Sequence, residues 1–306
     1  MNSLSIFFSS DKVYCGLFSR TPKGIKLIDL STTLDPIDLD DLDSELTIKA
    51  TNQLKRCLSE FDSKVSEFNI VLDNENSFWT VIPGNEFTNE SDLKRILELE
   101  IKNNVKSFNL NDFEFRVYPH GKKDEEDNDQ LFVIYFRKEI INNCNKILEI
   151  VGLKPDYIVT SQLASQNTIE YNYPDSSHLY SLLINKEEEF CDITVSNDNK
   201  TFYYDLLKAN DDESLIENLI KTIRTIESEG LNAGKLLLSG SKLTKKFIEK
   251  LNDETSLNFN RINSFRLVRA NVEKRMKDYC FRTAHLFSPV VGGSLSSYDS
   301  GKVFKF

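Results

Sequence analysis

Glycine and proline are scarce, at 11 and 7 of 306 residues. Average usage would give roughly twice as many of each. Collagen-like and low-complexity chains are excluded, and the elements should be continuous with few loops. The five cysteines, Cys15, Cys57, Cys144, Cys191 and Cys280, are an odd number with no CxxC pair. A disulfide scaffold or a dithiol motif is therefore not expected, and each cysteine sits in an apolar-patterned segment that reads as core. Long hydrophobic runs are missing too. The longest wholly apolar one is Leu131-Phe132-Val133-Ile134-Tyr135-Phe136, far short of the roughly 20 residues that span a bilayer, so it reads as a buried strand. The first eight residues lack the basic and apolar regions of a signal peptide, which points to the cytoplasm. Basic charge is the minority sign. Lys and Arg number 38 against 48 Asp and Glu, for a net charge of −10, which argues against a nucleic-acid partner. Three histidines, His120, His178 and His285, lie far apart and read as loop or packing residues. No HExxH, GxSxG or GxxxxGK[ST] motif occurs.

What is present is a repeat. Residues 3–8, 12–19 and 25–30 read as an antiparallel meander, followed by an acidic loop at 35–43, a helix over 44–61 and a strand at 69–72. The order βββαβ returns in strands at 179–184, 190–195 and 201–207, a helix with the stripe Leu215, Ile216, Leu219, Ile220, Ile223 and Ile226 ending near Gly230, and a strand at 235–239. Two similar units thus carry much of the chain. Between them lie a strand at 78–82, a helix over 92–105, strands at 113–118 and 131–136, and a helix over 139–151 stopped by Gly152 and Pro155. The charged run 121–130 reads as a solvated hairpin tip whose charges bind nothing. A helix at 243–251, a short segment at 257–262 and a helical region over 272–297 complete the chain. Adjacent Gly292 and Gly293 inside that region cost a helix about 2 kcal/mol. They call either for close backbone packing at a crossing or for a turn facing a ligand.

A duplicated βββαβ unit with a small domain inserted after the first copy resembles the actin-like ATPase superfamily. Within it the chain is most similar to the PilM family of type IV pilus assembly proteins, and more distantly to the cytoplasmic part of the secretion protein GspL. The stretch FVIYFRKEIINNCNKILEIVGLKPDYI at 132–158, the helix at 161–171 and FSPVVGGSL at 287–295 carry the resemblance. It implies an α/β fold of two ribonuclease H-like lobes. Residues 1–77 would form the first lobe, 78–157 an inserted α+β subdomain, and 158–306 the second lobe, whose C-terminal helix returns to the first.

It also implies a nucleotide cleft built on two tight phosphate-binding turns and a glycine pair. The first Asp-x-Gly-Ser falls on Ser5-Ile6-Phe7-Phe8, where Phe7 blocks the backbone from a phosphate and only Ser9, Ser10 and Lys12 keep the expected polarity. The second Asp-x-Gly falls on Asn185-Lys186-Glu187, followed by Glu188 and Glu189, which would repel an anion. The third site, Leu238-Ser239-Gly240-Ser241, keeps half of a Ser-Gly-Gly. The expectation is a degenerate site without catalytic residues, metal or required cofactor, with ATP and Mg²⁺ disfavoured. An active ATPase or small-molecule kinase and a filament-forming actin relative are the alternatives.

In the PilM family a groove between the first lobe and its insertion receives a short peptide from an inner-membrane assembly partner. Phe78, Trp79 and Ile82 enter that region, and Trp79 is either a core anchor or a groove aromatic. The resemblance thus implies a scaffold in a pilus or secretion assembly, held at the inner face of the membrane through a protein partner. The basic residues Arg261, Arg266, Arg269, Lys274, Arg275 and Lys277 read as a solvated face, or as contact with an acidic partner or an anionic membrane surface.

Overall fold

In the computed structural model, the described residues are 1–59, 61, 64–84, 90–104, 109–174, 179–188, 190–209, 211–270 and 272–296. Val105, His178, Glu189 and Ser297 of the readings above lie outside them. Strands β1 (Asn2–Phe8), β2 (Val13–Thr21) and β3 (Gly24–Thr32) make the first antiparallel meander. Helix α1 (Ser44–Leu58) follows, with the Asp43 side chain accepting from Leu46 N at 2.8 Å as its N-cap. Strand β4 (Glu67–Leu72) then runs parallel to β1.

The inserted block comprises β5 (Ser77–Pro83), α2 (Glu90–Asn104), β6 (Phe113–Lys123), β7 (Asp129–Arg137) and α3 (Lys138–Val151), ended by Gly152 in a left-handed C-cap. Strand β8 (Tyr157–Thr160) returns to the first sheet, and α4 (Ser161–Asn172) leads to the second unit. That unit has β9 (Tyr180–Lys186), β10 (Phe190–Asn197), β11 (Lys200–Lys208), α5 (Asp212–Ser228), β12 (Ala233–Ser239), α6 (Lys245–Thr255) and β13 (Asn260–Arg261). A two-residue strand β14 (Arg269–Ala270), α7 (Lys274–Thr283) and α8 (Ser288–Leu295) close the described chain.

The duplication is visible in the strand order. The first sheet runs β3-β2-β1-β4-β8 with β14 on its edge, and the second runs β11-β10-β9-β12-β13. Counted within each unit, both orders are the same. On α5, Leu215, Ile216, Leu219, Ile223 and Ile226 are buried against the second sheet, because their spacing places them on one face of a 3.6-residue helix.

Three readings are corrected. β6 continues through His120 to Lys123, so the hairpin tip shrinks to residues 124–128. Ladder bonds are made by main chain, and charged side chains do not prevent them. The run's charges are also not idle. His120 pairs with Thr201 of β11, joining the inserted strands to the second sheet, and Lys122 forms an ion pair with Glu229 beyond it. Finally, the region from 272 is not one helix. It breaks at residues 284–287, between α7 and α8, where Pro289 starts the new helix.

The glycine pair of α8 belongs to a crossing rather than a ligand turn. A Cβ on Gly292 would lie 1.5 Å from the Ala164 carbonyl oxygen of α4, and one on Gly293 would lie 2.3 Å from Ser5 Oγ of β1. All five cysteines are buried and form no disulfide, and Cys57 Sγ lies within hydrogen-bond reach of Cys15 Sγ at 3.3 Å and of Ser31 Oγ at 3.2 Å. Burial pushes the Cys144 and Cys191 thiols well up. A thiol-reactive aromatic disulfide should therefore label no cysteine of the folded chain and all five in denaturant, and prompt labelling of the native protein would contradict this burial.

Candidate functional site

The carboxyl ends of the central strands of the two sheets face each other across a cleft, the usual place for a ligand in open α/β sheets. On the first lobe the turn after β1 spans residues 9–12, closed by Ser9 N donating to Lys12 O at 3.0 Å. Asp11 in that turn accepts from Ser9 Oγ at 3.0 Å and from Tyr14 Oη at 2.9 Å. Asp73, one residue past β4, is buried. Its carboxylate accepts from Asn74 N at 2.9 Å and from Ser10 N, an amide of the turn, at 3.4 Å.

The second lobe answers with carboxylates of its own. Glu187 N donates to Phe190 O at 3.0 Å to close the turn after β9, and the Glu187 side chain is 2% exposed. It accepts from both the backbone N and the Oγ of Ser241. The Ser241 amide is aimed at Glu187 because Gly240, at φ +110°, lets the loop lie against β9. A Cβ at Gly240 would be 2.1 Å from the Lys186 carbonyl oxygen. Ser239 Oγ donates to Asn185 Oδ1 at 2.9 Å, and Asn185 Nδ2 donates to Asp192 Oδ2 at 3.0 Å. The other Asp192 oxygen has no hydrogen-bond partner.

Burial and mutual repulsion hold protons on this cluster. Burial, then the charge of Asp192, pushes the Asp73 pKa up to about 7. Burial pushes Asp192 up to about 6 against the lowering effect of its amide partners. Burial, then Asp73, raises Glu187 well above the usual carboxylate range. His285, which also lines the cleft, is held neutral by burial and then by Arg261, with its pKa down at about 4. Among the described residues, no group of three or more His, Cys, Asp or Glu is arranged to hold a metal ion. The pocket among Tyr14, Glu187, Ser241 and His285 holds about 10 Å³, and a hollow of about 320 Å³ adjoins it at Ser9, Ser10 and Asp73.

A much larger space lies elsewhere. Between α3 and the inserted strands runs an open groove of about 1350 Å³, with Phe78, Trp79 and Phe113 on one side and Asn142, Asn145 and Lys146 on the other. Trp79 is 37% exposed at its rim and packs on Phe132 and Tyr204, with centroids at 5.7 and 5.4 Å. Phe78 stacks on Tyr135 and meets Phe113 edge-on at 4.8 Å.

Among solved structures, the chain superposes on the PilM-PilN type IV pilus biogenesis complex with a TM-score of 0.80, at 12% identity, covering 96% of this chain and 98% of that one. The fold is that of the actin-like ATPases. A Bacteroides thetaiotaomicron protein of actin-like ATPase fold and unknown function matches at a TM-score of 0.52 and 15% identity over 92% and 95% of the two chains. The ethanolamine utilization protein EutJ of Carboxydothermus hydrogenoformans matches at 0.53 and 8% over 96% and 89%. No protein-family profile and no curated protein sequence matches.

ATP with Mg²⁺ is the ligand an actin-like ATPase fold implies. The Ser10 amide of the first turn and the Ser241 amide of the glycine loop are engaged by Asp73 and Glu187. The sequence register of the first turn is corrected by up to four residues: Ser5, Ile6, Phe7 and Phe8 are strand, and Phe7 lies at the cleft edge rather than at the turn apex. Asn185 and Lys186 likewise end β9, and of the described residues of that reading Glu187 and Glu188 lie in the turn.

Of the residues singled out from sequence, Ser9, Gly240 and Ser241 come together at the cleft, and Ser239 is buried beneath them. Ser10 lines the adjoining hollow, which shares Ser9, with Asp38, Asp40, Asp73 and Glu75, and Lys12 is half-buried on the turn. Phe78 and Trp79 line the groove. Ile82 does not: it is fully buried in the small core with Leu93, Leu97 and Val133. Sequence reasoning missed Asp11, Asp73 and Asp192. An acid at the carboxyl end of a parallel strand, and one inside the apolar run Phe190-Cys191-Asp192-Ile193, were the available signals.

Proposed function

We propose that this chain is a PilM-like cytoplasmic scaffold that works without ATP turnover and holds a short peptide of an inner-membrane assembly partner in the groove beside Trp79. The observation that carries the reading is the contrast between the two spaces. The groove is open at about 1350 Å³ and rimmed by aromatics, while the pocket between the β1 turn and the Gly240 loop is reduced to about 10 Å³ and closed by Glu187. An extended peptide needs aromatic anchors and polar partners for its main chain, and Trp79, Asn142 and Asn145 all line the groove. PilM in complex with PilN supplies the kind of partner.

Trp79 is the only tryptophan in the chain, so the groove carries its own probe. A synthetic peptide of the cytoplasmic N-terminus of a single-span membrane protein encoded beside this chain should shift its fluorescence saturably. Trp79→Ala should weaken binding of a labelled peptide by about tenfold or more. Unchanged affinity would remove the groove reading. Calorimetric titration with Mg·ATP should show no binding, and micromolar binding or phosphate release would restore the ATPase or kinase alternative.

A further inference from the structure

Helix α7 has two unlike faces. Met276, Tyr279 and Cys280 turn inward, with Tyr279 meeting the Phe287 ring at 6.0 Å and Cys280 buried. Outward stand Lys274, Arg275, Lys277 and Arg282, all exposed, and among them Phe281, 83% exposed. Immediately before the helix, β14 lies on the edge of β3 with exposed Arg269 opposite Lys26, which extends the basic surface onto the sheet edge. From Arg269 to Arg282 five cations stand against two anions, Glu273 and Asp278, in a chain whose net charge is −10. Among the described residues, no ion pair engages Arg269, Lys274, Arg275 or Lys277.

Phe281 puts an apolar ring on a face where cations outnumber anions five to two, the combination that favours an anionic lipid interface. A protein partner would press complementary walls around such an anchor, yet α7 lines neither the groove nor the cleft. An anionic lipid surface needs no matching cavity. Lys and Arg approach the headgroups, and the aromatic ring enters the boundary with the acyl chains. We infer that the outer face of α7, with Arg269 and Lys26, is a peripheral contact for anionic phospholipid. This contact uses no groove residue, so it stands or falls separately from the peptide reading.

The test is co-sedimentation of the full chain with vesicles of phosphatidylcholine containing about one-third phosphatidylglycerol, and with phosphatidylcholine alone. Binding is expected to the anionic vesicles at low salt and to be lost at high salt, because the attraction is screened. The charge reversal Lys274→Glu, Arg275→Glu, Lys277→Glu should reduce it by about tenfold or more, and Phe281→Ser severalfold. All four side chains are exposed, so these variants should unfold like the parent, and a melting curve checks that. Absence of binding to the anionic vesicles, equal binding to the neutral ones, or indifference to the charge reversal overturns the inference. So does displacement by soluble polyglutamate with no effect of Phe281→Ser, which would assign the face to an acidic protein instead.

Discussion

Replacing Gly292 with alanine should destabilise the protein by about 3 kcal/mol or more, read as a lower urea midpoint at unchanged slope. Two effects of opposite sign compete at this position. Alanine is the better helix former by about 1 kcal/mol, so propensity alone predicts a more stable α8. Packing predicts the reverse. The new Cβ would lie 1.5 Å from the Ala164 oxygen and 2.3 Å from its carbonyl carbon, and both are backbone atoms of α4 that cannot rotate away. The helices would have to part. Parting would break the bond from Thr168 Oγ1 to Ser288 O at 2.6 Å, and it would strain the bond from Asn69 Nδ2 to Gly293 O at 3.0 Å, which ties α8 to β4. Gly152→Ala is the control. No atom lies within 4 Å of a Cβ there, and only its left-handed φ of +82° opposes the change, for a cost of about 1 kcal/mol. A Gly292→Ala variant as stable as the parent would mean that α8 and α4 do not cross this closely.

The same crossing marks how far the sequence could be read. Strands that alternate or mass apolar residues, and the stripe on α5, made the duplicated unit legible, because period and burial are coupled. The places where strands stop were less legible. Ile6, Phe7 and Phe8 form an unbroken apolar run, so nothing in their pattern says that β1 continues to Phe8 before turning. The glycine that the resemblance led one to look for at such a turn is missing here. Charge misled at β6, where Lys122 and Lys123 sit in a ladder held by main-chain bonds. Ile82 shows a third limit. It shares a face of β5 with Phe78, and only the packing of Leu93 and Leu97 of α2 over that end of the strand takes it out of the groove. The carboxylate cluster was the least visible feature. Asp11 and Asp73 come from one lobe and Glu187 and Asp192 from the other, and only the tertiary fold brings them near.

That cluster should make the protein less stable as pH rises from about 4 to about 7. An unfolded carboxyl loses its proton near pH 4, whereas Asp73 keeps its proton up to about 7 and Asp192 up to about 6 in the native chain. Between those values these two acids bind more protons in the native chain than in the unfolded one, so their contribution to stability falls with every step up in pH. Each tenfold difference in proton affinity between the two states corresponds to about 1.4 kcal/mol. With the coupling between the acids discounted, the loss is on the order of 3–5 kcal/mol across the window. His285 acts in the opposite direction inside the window, since its native pKa of about 4 lies below the unfolded value near 6.5, and it offsets part of that loss. Asp124, Asp211 and Glu213 also oppose it, but they are fully exposed and screened and act below the window. Asp192→Asn isolates the effect. Its side chain can still accept from Asn185 Nδ2 but never ionises. The variant should be more stable than the parent by about 1–3 kcal/mol near pH 8, with the difference shrinking toward pH 4, as urea midpoints at the two ends would show. A constant difference across the range would mean that Asp192 is ionised throughout. In that case the lobes would be meeting across a fixed charge rather than a shared proton, and the raised pKa values of its neighbours would need another cause.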